Sequence, residues 1–120
     1  MRSEVKSHKD LTVWQKAVEL VSDIYTESSS WPKEEIYGLI SQIRRAAVSV
    51  PSNIAEGAAR GSNKDFIRFL NISLGSLAEV DTQIEIAKRL KFLENTDRID
   101  ARITEIRRML IGLKKSLGRQ

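Results

Sequence analysis

Of the groups in this sequence that could do chemistry, its twenty lysines and arginines are the most numerous, and their chemistry is the holding of anions. Ten of them, against four acidic residues, fall within 86–120, so the net charge of +4 is concentrated at the C-terminal end. Arg107 with Lys114 and Arg108 with Lys115 lie seven apart, which on a helix makes two basic rows. Such a bias suits an acidic partner such as RNA or DNA, and it equally suits a surface that only keeps the chain dissolved. Little else is equipped for reaction. His8 is the only histidine and there is no cysteine, which removes Cys–His catalysis, thiolate zinc sites and the Glu-x-x-His pairs of di-iron bundles. The segment 61–64 lacks the glycine spacing of a phosphate loop. Glu34 and Glu35 are neighbours whose side chains diverge on a helix, so they fit a helix start better than an acid–base pair. No catalytic residue, metal ligand or cofactor site is expected, and the chain is read as not an enzyme.

The elements that must carry these charges are four helices. Apolar residues recur at three- and four-residue spacing over about 11–28, from Trp31-Pro32 to about 57–61, from a Ser62–Asp65 capping box to about Phe92, and over about 97–117. Pro51 interrupts the second stripe, which resumes at Ile54; one helix kinked at Pro51 is expected, with two helices broken at Val50 as the alternative. Short loops predict an all-α, antiparallel up-down-up-down four-helix bundle occupying 1–120 as one domain, with 1–10 as a mobile arm. The start lacks the apolar run of a signal peptide and no run approaches a membrane span, so a cytoplasmic location away from membranes is expected.

In the third helix, apolar residues cover well over half the circumference, more than a bundle needs, which predicts self-association. Arg44 and Asp81 fall inside apolar arcs. A buried charge needs a partner, so Arg44 is expected to pair with Asp81 or Glu79, unless its stem lies over the core and its head reaches solvent.

The run 44–57, RRAAVSVPSNIAEG, is distinctive, with Arg45, Pro51, Asn53, Glu56 and Gly57 as its marks. Together with Asp10-Leu11-x-Val13-Trp14-Gln15-Lys16-Ala17, Tyr37-Gly38-Leu39-x-x-Gln42-x-Arg44-Arg45 and Phe69-Leu70-x-Ile72-x-x-Gly75-Ser76-Leu77-x-Glu79, it resembles the four-helix-bundle proteins called 23S ribosomal RNA intervening-sequence proteins. That resemblance spans about 10–113 and implies an antiparallel four-helix bundle and, in related members, a homopentamer. A related fold serves as the accessory protein of diversity-generating retroelements, where it binds nucleic acid and a reverse transcriptase. Ala59 stands where the family has glycine before Arg60.

In such a bundle the N-terminal arm, the end of helix two, the start of helix three and the end of helix four share one pole. It gathers Arg2, Lys6, Lys9, Arg60, Lys64, Arg68, Lys114, Lys115 and Arg119, with Arg107 and Arg108 in the rows leading to it. The expected function is an oligomeric nucleic-acid-binding or nucleoprotein-scaffold module; the alternative is a structural adaptor that binds a protein partner through apolar helix surfaces.

Overall fold

The structure, a computed structural model, describes residues 7–119. Four helices follow in order: α1 (Thr12–Ser28), α2 (Leu39–Ala59), α3 (Asn63–Arg89) and α4 (Asp97–Gly118). Each packs on its neighbour in sequence, and α4 closes the ring against α1. The result is an up-down-up-down bundle of 47 × 24 × 20 Å. No helix among the described residues is long and apolar enough to cross a membrane.

The stripes read from the sequence meet along the axis. Leu20, Ile24, Ile43, Ile54, Leu70, Leu77, Ile84, Ile103, Ile106 and Leu110 are all nearly inaccessible. Each such side chain contributes about 1.5–3 kcal/mol by leaving water. On α4 the expected seam of Ile99, Ile103, Ile106, Leu110 and Leu117 is buried, while Leu113 is only half-buried.

α2 and α3 share the largest contact, and small residues make it possible. A Cβ added to Gly57 would stand 2.9 Å from Phe66 Cδ1 and 2.9 Å from Phe69 Cβ, so only glycine fits there. Ser73 donates to the Val50 carbonyl at 2.9 Å, a buried bond between the helices. The Ser49 and Ser76 hydroxyls meet at 2.8 Å, and Asn53 donates to the Ser49 carbonyl and hydroxyl. Pro51 is buried inside α2, which runs from Leu39 to Ala59 as one helix, so the two-helix alternative does not form.

Two boundaries differ from expectation. α2 does not open at Trp31-Pro32. A 3₁₀ turn, Lys33–Glu35, comes first, and α2 begins after Gly38, where Glu35 Oε1 accepts from the Leu39 N–H at 3.0 Å. Trp31 instead plugs the end of the core, 4% exposed and against Phe92. α3 stops at Arg89 because Lys91 adopts φ 66°, and the Phe92 N–H returns to the Ala87 carbonyl. That is the closure usually made by glycine. Of the arm expected over 1–10, the residues before Ser7 lie outside the described residues; from Ser7 a capped 3₁₀ turn, His8–Asp10, packs on α1 and α2, with His8 edge-on to Trp14.

Candidate nucleic-acid interface

The turn from α2 to α3 places its cations by capping and stacking. Ser62 caps α3 by accepting the Asp65 N–H at 3.1 Å, which fixes Lys64 in the first turn. Asn63 donates to the Leu117 carbonyl, joining the start of α3 to the end of α4. Arg60 and Arg68 both lie over the Phe69 ring, their guanidinium carbons 4.8 and 4.6 Å from its centroid. Such stacking holds a guanidinium in place while leaving its edge donors free for phosphate. Arg60 also meets Glu56 at 2.9 Å, an exposed i,i+4 pair.

The last turns of α4 and its C-cap add Lys114, Lys115 and Arg119. Among the described residues Lys64, Arg68, Arg108, Lys114, Lys115 and Arg119 carry no ion pair. The structure therefore gathers Arg60, Lys64, Arg68, Lys114, Lys115 and Arg119 at one pole. Arg2 and Lys6 lie outside the described residues. Arg107 leaves the expected basic row: its guanidinium meets Asp81 at 3.2 Å.

That contact overturns the pairing expected for Arg44. Arg44 donates through Nε to Ser28 Oγ at 2.9 Å and through Nη2 to the Tyr25 carbonyl, and its guanidinium lies 4.6 Å from the Tyr25 ring centroid. It faces α1, whereas Asp81 faces α4 and Glu79 has no ion pair among the described residues. Arg44 thus reaches the surface over an aromatic ring, as long side chains do.

The sequence reading missed the strongest charge cluster. Arg102 of α4, its side chain 17% exposed, bridges Asp23 at 2.7 Å and also bonds Glu19, both on α1. Burial acts to lower its pKa, but the Glu19 and Asp23 carboxylates outweigh this and hold the guanidinium above its usual range. Arg102 sits one residue before the seam position Ile103, and that adjacency was the available signal. Among the described residues no three His, Asp or Glu side chains converge as metal ligands.

The signature residues are chiefly packing residues: Gly57 against Phe66 and Phe69, Asn53 in the serine network, Pro51 in the core, Glu56 on Arg60. Arg45 is exposed, with one long contact to Ser41 Oγ at 3.4 Å. The model of the 23S rRNA-intervening sequence protein family matches residues 9–112, a span that holds all four helices up to the last turns of α4. The chain belongs to this family. A crystal structure of a protein of unknown function from the S23 ribosomal protein family, from Bacteroides thetaiotaomicron VPI-5482, superposes with a TM-score of 0.77 at 28% identity, covering 87% of this chain and 99% of that one. No protein of curated function matches the sequence. Because the signature residues of this chain chiefly serve the α2–α3 packing, the exposed charges and apolar surfaces are the places where function is sought.

Proposed function

We propose that this chain is a non-catalytic, self-associating module that binds nucleic acid or scaffolds a nucleoprotein through the pole where α2 ends, α3 begins and α4 ends. The observation that carries the reading is the stacked pair Arg60 and Arg68 on Phe69, set among Lys64, Lys114, Lys115 and Arg119, with Glu56 the only carboxylate among the described residues ion-paired to any of the six. Guanidinium and ammonium groups held this way neutralise phosphates and release counterions, giving affinity that falls steeply with salt. They position a backbone and read little sequence. Self-association would repeat the pole and raise the local potential. The adaptor reading draws on exposed apolar groups such as Tyr25, Ile36, Ile72 and Ile86.

The test is titration of duplex and single-stranded nucleic acid at low and physiological salt, with wild type and with Lys114→Gln/Lys115→Gln/Arg119→Gln. Binding that weakens with salt, and a shallower salt slope by about three in the triple variant, is the expected result. No binding at low salt, or equal binding by the variant, would reject the pole.

A further inference from the structure

Towards the end of the bundle opposite the basic pole, a groove of about 740 Å³ lies between the end of α1 and the start of α2. That size falls within the range of small-molecule clefts, about 300–1,000 Å³. Tyr25, Ile36 and Val48 line it and are between 40% and 49% exposed, and the buried Ile40 and Trp31 line it as well. Large apolar side chains left half open in one concavity are a surface that a hydrocarbon body would take out of water.

The charged groups of the groove are all of one sign. Lys33, Arg44 and Arg45 line it and no carboxylate does. None of the three is ion-paired among the described residues. The sequence reinforces this, because from 36 to 55 it carries Arg44 and Arg45 and no acidic residue.

Of these cations Arg44 is held in place. Its Nε donates to Ser28 Oγ at 2.9 Å and its guanidinium lies over the Tyr25 ring, while Nη1 makes no hydrogen bond among the described residues. Arg45 keeps only its long contact to Ser41. The indole N–H of Trp31, a residue 4% exposed, also has no acceptor among the described residues. A buried donor without an acceptor is costly, and a ligand oxygen relieves that cost. The groove thus combines an apolar wall, positive charge and unanswered N–H donors.

We propose that the α1–α2 groove binds a small amphipathic carboxylate, a molecule with a hydrocarbon body and one anionic head. The body lies against Tyr25, Ile36 and Val48. Arg44 takes the head, since two carboxylate oxygens match the planar fork of one guanidinium. Arg45 and Lys33 add attraction from the rim. A nucleic-acid strand fits less well, because it brings a charge with every nucleotide to a wall that is largely apolar. The site is separate from the basic pole, so it stands or falls independently of nucleic-acid binding.

Decanoate is the probe, titrated into the full chain carrying Trp14→Phe so that Trp31 is the one indole reporting. Its fluorescence should change saturably, with a midpoint in the low millimolar range or below. Decanol, which lacks the charge, should bind at least about tenfold more weakly, and decyltrimethylammonium should not bind. Val48→Glu, at a half-exposed position, should abolish the response, and Arg44→Lys should weaken it about tenfold, both with unchanged helical circular dichroism. Lys114→Gln/Lys115→Gln/Arg119→Gln should bind decanoate as the parent does. No response to decanoate, decanol binding as tightly, or an unchanged midpoint in Val48→Glu would overturn the proposal. So would displacement of decanoate by a short single-stranded RNA, which would assign the groove to nucleic acid.

Discussion

Gly57 lies so close to Phe69 that a methyl group on its α-carbon would stand 2.9 Å from the phenylalanine Cβ. Helix propensity favours Gly57→Ala by about 1 kcal/mol, but overpacking in a tight interface costs about 1–3 kcal/mol. The neighbours are a Cβ and a backbone carbonyl as well as a ring edge, so they yield poorly. Gly57→Ala should therefore lose about 1–2 kcal/mol in urea unfolding. Gly112→Ala, whose Cβ meets nothing within 4 Å on exposed α4, should gain about 0.5–1 kcal/mol. If both changes shift stability in the same direction, close packing at Gly57 is not what excludes a side chain.

The identity of Asp81's partner is open to a double-mutant cycle. Arg107 and Asp81 are 38% and 48% exposed in their side chains, which places their coupling at about 0.2–1 kcal/mol. Arg44 and Asp81 should show none, and Arg44→Ala alone should cost about 1 kcal/mol through the lost Ser28 bond and the Tyr25 stack. A loss near 3 kcal/mol for Arg44→Ala, with coupling to Asp81, would restore the pairing that the sequence suggests in place of the Arg107–Asp81 contact.

The contrast between those two arginines shows what was legible in advance. Helix number, topology and the core stripe follow from periodicity, because a core position on α4 such as Ile103 is named by its spacing alone. The gathering of Lys64 with Lys114 at one pole follows from topology in the same way. Partner choice does not. Arg44 and Asp81 both lie within apolar arcs, yet a few tens of degrees of helix rotation decide whether each meets α1, α3 or α4. The start of α2 was also hidden, because Trp31-Pro32-Lys33-Glu34-Glu35 has the composition of a helix opening but makes only a 3₁₀ turn before Gly38.

Arg102 should matter more than any cation of the pole to stability. Its side chain and that of Asp23 are 17% and 18% exposed, and it serves Glu19 as well. Arg102→Met keeps much of the volume but strands the Asp23 carboxylate, at a cost of about 2–4 kcal/mol. Adding Asp23→Leu should recover at least half of that loss, since removing both charges relieves the stranded one. Thermal or urea unfolding of the three proteins decides it; a single variant within about 0.5 kcal/mol of wild type would mean that water already screens the cluster.

Pro51 offers the most direct test of how α2 is shaped. It has no N–H to return to the Ala47 carbonyl, so one rung of the helix is missing in the middle of the α2–α3 contact. The Val50 carbonyl beside it takes the Ser73 hydroxyl, which ties α3 to the same point. Pro51→Ala restores the rung and removes a propensity penalty of about 3 kcal/mol. Against this stands the loss of two buried ring carbons, at about 0.8 kcal/mol each. The balance predicts a more stable chain, by about 1 kcal/mol, with the bundle retained. Ser73→Ala should cost about 1 kcal/mol in either background if the Val50 bond does not depend on the proline. The outcome that rejects this account is a Pro51→Ala chain less stable than wild type, because α2 would then need the proline-shaped backbone to fit against α3.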